Sequence, residues 1–233
     1  PHGNSDKGHL SKSMEVLKHE NHLLVYGEKM AAFANHPKTT EVGNFRHHYF
    51  LKYRSFYDSL VQEFFQPAKK TVLYAPTWQD GETPSSFFLS AEKIILELPS
   101  DYFLMIKLHP NLESDSRTLH LELKYEDHPK VKFIKRFTPI YPLLEKTDVY
   151  LGDMSSIGYD FLTYNRPMFF FNPMNRDLSH PSLYLHQCGY TIKPGENIFE
   201  TIEREGLQNY LSPVRKKIYE YTFGVKPLDI SLD

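Results

Sequence analysis

A chain of 233 residues with 40% hydrophobic residues can bury a core, and no apolar run approaches the roughly 18 residues that a membrane-spanning helix needs. The 27 Lys and Arg residues nearly balance the 29 Asp and Glu residues, and a formal net charge of -2 excludes a global positive field for nucleic acid. The single cysteine, Cys188, excludes an internal disulfide and a cysteine-based zinc site, and it predicts a reducing, cytoplasmic setting.

The first 45 residues have a pattern of their own. After the opening loop PHGNSDK, the run LLVYG predicts a strand at 23–27, EKMAAFA a short helix, and TTEVGN a second strand that ends in a turn. The chain starts at Pro1, inside what looks like a motif, so we expect it to be a fragment of a longer protein. We predict that residues 1–45 are the tail of a preceding α/β domain with the interdomain linker, and that the chain crosses over near Gly43 to Arg46.

The sequence pattern of residues 46–233 predicts one larger α/β domain. A long helical pattern runs from about His47 to Phe65, and short apolar runs then alternate with helical patterns. The predicted strands are 71–75, 103–108, 131–134, 149–152 and 168–171, and the predicted helices are 91–98, 116–125, 140–146 and 157–164. Fully apolar short strands that alternate with helices indicate a parallel sheet covered on both faces, as in a Rossmann-like fold.

Four motifs follow the predicted strands directly. They are APTWQDG, KLHP, GDMSS and FNP. In open parallel sheets, ligands bind beyond the carboxyl ends of the strands. These motifs are therefore the candidate binding loops.

GDMSS joins a buried strand to a helix. Ser155 or Ser156 is suited to cap that helix, and the amides of Ile157 and Gly158 are then expected to be free and to point outward. With two serine hydroxyls as further donors, such a junction suits a phosphate or a diphosphate. In the alternative interpretation Ser156 only caps its own helix and Asp153 only caps a turn, and spacing alone slightly favours this alternative.

Two further motifs contain histidine. In KLHP, His109 is placed to donate to a phosphate oxygen or to transfer a proton, with Lys107 beside it; the alternative is an ordinary hydrogen-bonded histidine at a strand end. In PHGNSDK, His2 and Lys7 suit a general base with an anion clamp, and the alternative is a terminal loop without a role. The sequence contains no HExxH, P-loop, GxGxxG or GxSxG motif.

Taken in order, PHGNSDK, VGNFR, VLYAPTWQ, KLHP and DVYLGDMSSIGYDFLTYNRPMFFF resemble the CDP-glycerol glycerophosphotransferase family, the primases and polymerases of wall teichoic acid. The resemblance runs from His2 to about Asn172 and weakens afterwards. It implies a two-domain architecture of the GT-B type, in which residues 46–233 form the C-terminal domain that binds the nucleotide donor. The implied activity is transfer of glycerol phosphate, or a similar polyol phosphate, from a CDP-activated donor to an acceptor hydroxyl in surface-polymer synthesis.

The resemblance also implies roles for individual residues. His2 and His109 match the catalytic histidines, with His2 as the base for the acceptor hydroxyl. Asp160 fits the acid that follows within the helix. The implied donor-binding residues are Arg46, Lys107, Asp153, Ser155, Ser156, Ile157 and Gly158. No metal ligand and no cofactor are predicted, and the sequence leaves the need for a divalent cation open.

The implied partners are CDP-glycerol or a related CDP-polyol and a lipid-linked polyol-phosphate or glycan acceptor, with no nucleic acid. The implied location is the cytoplasm, with peripheral contact to the inner membrane face through regions outside this chain. The motif GNFRHH and the ending YTFGVKPLDISLD depart from the family pattern, and whether this chain alone is active is left open. Two alternatives remain: a GT-B transferase or epimerase that uses a UDP-sugar, and a non-catalytic nucleotide-binding or assembly module.

Overall fold

A small parallel sheet forms the first part of the fold. The computed structural model describes Asn4, Asp6, Leu17 and residues 19–65, 68, 70–79, 85–136, 139–206 and 209–225. Strand β1 (Leu23–Val25), helix α1 (Glu28–Ala34) and strand β2 (Thr39–Glu41) form a βαβ unit whose two strands pair in parallel. Both predicted strands and the predicted helix are confirmed. Their assignment to a separate preceding domain stays a prediction.

The long helical pattern that follows is divided into two helices. Helix α2 (Phe45–Lys52) and helix α3 (Arg54–Val61) are separated at Tyr53, and a 3₁₀ turn, Gln62–Phe64, follows α3. The side chain of Asn44 caps α2 by accepting a hydrogen bond from the His47 amide at 3.2 Å. The prediction of one continuous helix is therefore wrong. The break was not predicted because no glycine or proline marks it in the sequence.

The main sheet has six parallel strands in the order β5-β4-β3-β6-β7-β8. They are β3 (Lys70–Ala75), β4 (Tyr102–Lys107), β5 (Val131–Ile134), β6 (Val149–Gly152), β7 (Met168–Phe170) and β8 (Tyr190–Thr191). The first five confirm the predicted strands to within a residue or two at each end. Strand β8 extends the sheet beyond the prediction.

Helices cover both faces of this sheet. Along β3, Leu73 and Ala75 pack into one hydrophobic cluster, whereas Val72 and Tyr74 pack into a second cluster on the opposite face. The covering helices are α4 (Phe87–Leu96), α5 (Ser116–Lys124), α6 (Tyr141–Glu145), α7 (Ile157–Phe161), α8 (Ile198–Gly206) and α9 (Ser212–Phe223). The predicted Rossmann-like arrangement is confirmed.

The last helix links the two sheets. Helix α9 returns to the βαβ unit, where the ring of Phe223 packs edge-on against Tyr26 at 5.7 Å between ring centroids. Gly27 permits this approach, since a β-carbon there would lie 2.8 Å from the carbonyl oxygen of Thr222. The small sheet and the main sheet therefore share one hydrophobic cluster. None of the helices in the described part of the chain has the length and apolar content to span a bilayer.

A buried histidine makes the fold sensitive to acid. His186 lies in the 3₁₀ segment Pro181–Cys188 and stacks on Phe170 at 4.5 Å between ring centroids. It is 4% exposed, and burial lowers its pKa to about 4. An unfolded histidine titrates near about 6.5, so between these two pH values the unfolded chain binds a proton that the folded chain does not. Stability therefore falls as the pH falls through this window.

We expect the variant His186→Phe to lose this dependence. Its free energy of unfolding, measured with urea at pH 7 and pH 4.5, should decrease less on acidification than that of the wild type, by roughly 2–3 kcal/mol. The control is His120→Gln, which changes an exposed histidine on α5. An equal acid sensitivity of His186→Phe and wild type would contradict this assignment.

Candidate functional site

The order of the strands predicts a ligand crevice at one edge of the main sheet. From the central strand β3, the chain builds outward through β4 to β5, and it then returns to the other side of β3 and builds outward again through β6, β7 and β8. At such a reversal the neighbouring connections diverge, which opens a ligand crevice beyond the carboxyl ends of the two strands. The APTW loop after β3 and the GDMSS loop after β6 lie at this point. KLHP and FNP follow the flanking strands β4 and β7.

Asp153 joins the two loops of the crevice. Its carboxylate is only 1% exposed and accepts hydrogen bonds from the Thr77 amide at 2.7 Å and from the Ser86 amide and hydroxyl at 3.1 and 2.7 Å. The Tyr74 hydroxyl, 2.8 Å from the Ser86 hydroxyl, extends the network below the sheet edge. The carboxylate of Asp153 therefore fixes the two loops to each other, and its predicted role in donor binding stays a prediction.

The two serines differ in their hydrogen bonds. The Ser155 hydroxyl is largely buried and accepts a long hydrogen bond, 3.4 Å, from the Ile157 amide. Ser156 occupies the cap position of α7, but its side chain makes no capping hydrogen bond. The choice between a capping serine and a donor-binding serine stays a prediction. The Gly158 amide donates to the Ser155 carbonyl at 3.1 Å. The expected free amides of Ile157 and Gly158 are therefore not present, and the hydroxyls are the remaining candidate donors.

The side chain of Tyr150 leaves no room for a β-carbon at Gly152 and little room for one at Gly158, in the first turn of α7. The Tyr150 ring is fully buried beneath the loop, and a β-carbon on Gly152 would lie 2.4 Å from the Tyr150 hydroxyl. A β-carbon on Gly158 would lie 2.6 Å from a methyl group of Leu185 and 3.2 Å from the same hydroxyl. Protein side chains therefore occupy the space beside both glycines, and the role of Gly158 in donor binding stays a prediction.

His109 stands beside the loop that follows β3. Its ring stacks on Trp78 with 5.8 Å between ring centroids and 28° between ring planes. Its Nδ1 accepts a hydrogen bond from the Asn111 amide at 3.2 Å. An imidazole nitrogen that accepts a hydrogen bond carries no proton, so the neutral ring holds its proton on Nε2. In this tautomer Nε2 of His109 can donate a hydrogen bond, and the catalytic role of His109 stays a prediction.

Lys107 lies at the end of β4 and is mostly buried. Its ammonium donates a hydrogen bond to the Leu108 carbonyl at 2.8 Å, and its side chain is 8% exposed. Burial lowers the pKa of Lys107, and the nearby carboxylate of Glu113 opposes this shift. The role of Lys107 as a donor-binding cation stays a prediction.

Arg46 is engaged by an acid of helix α7. Its guanidinium pairs with Asp160 at 2.6 Å, and the Tyr141 hydroxyl donates to the same carboxylate at 3.0 Å and to Asn44 at 2.7 Å. Burial raises the pKa of Asp160 to about 6, and Arg46 and Tyr141 oppose that rise. This network ties α2 to α6 and α7. In the structure Arg46 forms an ion pair with Asp160, and its role as a donor-binding residue stays a prediction.

Asp6 is bonded to helix α7 and to the segment after β7. It is 3% exposed and accepts hydrogen bonds from the Tyr159 hydroxyl at 2.5 Å and from the Leu185 amide at 3.0 Å, and Lys29 lies 3.1 Å from it. Tyr159 belongs to α7, directly after the two serines. His2 and Lys7, the candidate residues of the motif PHGNSDK, lie outside the described residues, and Asp6 was not among the predicted site residues.

A second residue that could not be singled out from the sequence is a cation in the loop after β7. Arg176 lies 3.9 Å from the sulfur of Met154, inside GDMSS, and donates to the Ser182 hydroxyl at 2.8 Å. Because ligands bind beyond the carboxyl ends of parallel strands, the motif FNP marked this loop as a candidate binding loop. Nothing in the sequence distinguished Arg176 within the loop. Among the described residues, no group of three or more His, Cys, Asp or Glu side chains is arranged to hold a metal ion.

Comparison with protein families adds an independent finding. Residues 57–181, more than half of the chain, match the family described as CDP-Glycerol:Poly(glycerophosphate) glycerophosphotransferase. The matched segment contains the four strand-end loops, and it excludes His2 and Arg46. The Teichoic acid glycerol-phosphate primase of Bacillus subtilis (strain 168) is 30% identical over 104 residues, which cover 44% of this chain and 26% of the primase.

Solved structures show the same fold. The wall teichoic acid polymerase TagF superposes with a TM-score of 0.66 at 16% identity, covering 88% of this chain and 54% of that one. A variant of TagF soaked with CDPG superposes with a TM-score of 0.59 at 18% identity, covering 87% and 52%. This chain therefore spans about half of the polymerase structures and about a quarter of the primase.

Proposed function

Because the chain belongs to the CDP-glycerol:poly(glycerophosphate) glycerophosphotransferase family, we propose that it binds a CDP-activated polyol in the crevice between β3 and β6. There it takes part in transfer of the polyol phosphate to an acceptor hydroxyl of a wall polymer. The names of the relatives support glycerol phosphate as the transferred group and CDP-glycerol as the donor. A lipid-linked acceptor and contact with the inner membrane face belong to the same proposal.

One observation carries this proposal. The buried carboxylate of Asp153 draws the loop after β3 and the start of α4 onto the GDMSS loop, through Thr77 and Ser86. The loop that carries the two serines is thereby tied to its neighbours at the point where the strand order reverses. Hydroxyl groups fixed at such a crevice, with cationic side chains on either side, suit a diphosphate.

The chemistry requires positioning and aimed hydrogen bonds more than covalent steps. An acceptor oxygen forms a bond to the β-phosphorus of the donor while the bond from that phosphorus to CMP breaks. The acceptor proton passes to a base, for which the family resemblance proposes His2. Negative charge develops on the oxygens around the phosphorus and on the departing CMP.

His109 has the geometry to stabilise part of this charge with a hydrogen bond. With its proton on Nε2, it can donate a hydrogen bond to an oxygen of the departing CMP phosphate. The stack with Trp78 and the bond from the Asn111 amide hold the ring in place, so little reorganisation is needed during the reaction. We assign His109 to leaving-group stabilisation and His2 to proton removal.

Calorimetric titration with CDP-glycerol, CMP and UDP-glucose tests this proposal. We expect CDP-glycerol to bind more tightly than UDP-glucose. The double variant with Ser155→Ala and Ser156→Ala should bind CDP-glycerol at least about tenfold more weakly for each hydroxyl that contacts a phosphate. Ser59→Ala, which removes an exposed hydroxyl on α3, is the control.

The outcomes separate the proposal from its rivals. Preference for UDP-glucose would favour a sugar transferase or epimerase. Equal binding of CDP-glycerol by wild type and the double variant would remove the serines from the donor site. A folded protein that binds none of the three nucleotides would contradict the proposed function.

A further inference from the structure

We propose that Arg176 binds the transferred phosphate of the donor and that it gives the site its preference for a diphosphate over a monophosphate. This inference rests on the proposed function. It concerns a residue outside the motifs that carried the family resemblance, and it assigns a specific phosphate to a specific side of the crevice.

The surroundings of Arg176 hold it rigidly. The Asn172 side chain accepts a hydrogen bond from the Arg176 amide at 3.1 Å and donates one to its carbonyl at 2.7 Å, so one amide group fixes both ends of the residue. The guanidinium donates to the Ser182 hydroxyl at 2.8 Å, and that hydroxyl lies 2.7 Å from Nδ1 of His180. A guanidinium held in this way loses little conformational entropy when it binds a ligand.

The position of Arg176 relative to the serines is also defined. Nη1 of Arg176 lies 3.9 Å from the sulfur of Met154, which immediately precedes Ser155. Met154 is 5% exposed, so the arginine contacts a buried side chain of the serine loop. Arg176 therefore borders the serine loop on the side of β7.

The opposite side of the crevice is occupied by Lys107 and His109. They follow β4, whereas Arg176 follows β7, and two strands, β3 and β6, lie between them. Three strand spacings of about 4.8 Å separate β4 from β7 by roughly 14 Å. Side chains from the two flanks therefore approach a ligand between them from opposite directions, and each contacts a different phosphate of a diphosphate.

The assignment of the phosphates follows from His109. Since His109 is placed to stabilise the departing CMP phosphate, the phosphate on the side of Arg176 is the one that is transferred. A guanidinium stays charged at every physiological pH and pairs with phosphate through two parallel hydrogen bonds. Charge that grows on the transferred phosphate during the reaction strengthens this contact.

The test compares ligands with one and two phosphates. CMP, CDP and CDP-glycerol are titrated into wild type, Arg176→Gln and Arg176→Lys. In Arg176→Gln we expect affinity for CDP and CDP-glycerol to fall by about tenfold or more, while affinity for CMP changes by less than about twofold. Arg176→Lys, which keeps the charge but loses the paired donors, should give an intermediate loss. Arg204→Gln removes a largely exposed arginine on α8 and serves as the charge control.

The outcomes distinguish this inference from the function on which it rests. Wild-type binding of CDP-glycerol together with undiminished binding by Arg176→Gln would overturn the role of Arg176 alone. An equal loss for all three ligands would overturn it as well, since it would assign Arg176 to the shape of the loop. Failure of the wild type to bind CDP-glycerol would contradict the proposed function and the inference together.

Discussion

Replacing Asp153 by alanine is expected to lower the free energy of unfolding by about 3 kcal/mol or more. The substitution removes the acceptor for the Thr77 amide and for the amide and hydroxyl of Ser86, and each unpaired buried donor costs roughly 1–3 kcal/mol. Because the same bonds hold the loops of the crevice together, binding of CDP-glycerol should be lost as well. Urea unfolding and calorimetric titration measure the two effects.

Asp148→Ala is the matched control for this prediction. Asp148 also accepts a hydrogen bond from a backbone amide of β3, that of Thr71 at 2.8 Å, but it lies at the amino end of the strand and is exposed. Its removal should cost about 1 kcal/mol or less and leave donor binding unchanged. Equal destabilisation by the two substitutions would contradict a special role for Asp153.

Replacing His109 by alanine is expected to slow turnover by roughly 10²–10⁴-fold, the usual contribution of a positioned proton donor. Affinity for CDP-glycerol should change far less, because the bond from Nε2 becomes strongest only as charge develops on the departing CMP. The measurement is release of CMP from CDP-glycerol with a glycerol-phosphate acceptor, alongside the dissociation constant of CDP-glycerol.

His128→Ala separates this chemical role from a local structural one. His128 accepts a hydrogen bond from the backbone amide two residues later, that of Lys130 at 3.2 Å, just as His109 does from Asn111. It precedes β5 and so lies at the opposite edge of the sheet. Turnover that falls equally in the two variants, or that does not fall in His109→Ala, would contradict the assigned role.

The fold was predictable where the sequence has strong local patterns. Five strands of the main sheet are short apolar runs next to turn-forming residues, and their alternation with helices indicated a parallel sheet. Strand β8 has only two residues, which is too short to give a pattern. The break at Tyr53, where φ is -117° and ψ is 30°, was missed because no glycine or proline marks it in the sequence.

The site was predictable in position but not in its internal geometry. The rule that ligands bind beyond strand ends brought GDMSS, KLHP and the loop after β3 to one edge, and the stack of Trp78 on His109 confirms that two of these loops meet. The hydrogen bonds of Asp153 could not be predicted, because its partners lie 76 and 67 residues away in the sequence. The same holds for Arg46 and Asp160, which are 114 residues apart.

Asp6 and Arg176 escaped prediction for related reasons. Asp6 lies within a quoted motif, but its partners Tyr159 and Leu185 are 153 and 179 residues away. Arg176 follows a predicted strand end, yet only its contacts with Met154 and Ser182 distinguish it from other surface arginines. A search for cations in the first turns after each strand end would have included it.

A crystal structure of the protein with CDP-glycerol would test the central claim most directly. We predict that the diphosphate lies between the carboxyl ends of β3 and β6, with phosphate oxygens within about 3.2 Å of the Ser155 and Ser156 hydroxyls. A nucleotide bound elsewhere would contradict the account, for example in the apolar pocket of about 480 Å³ that Arg46, Tyr49 and Pro139 help to line.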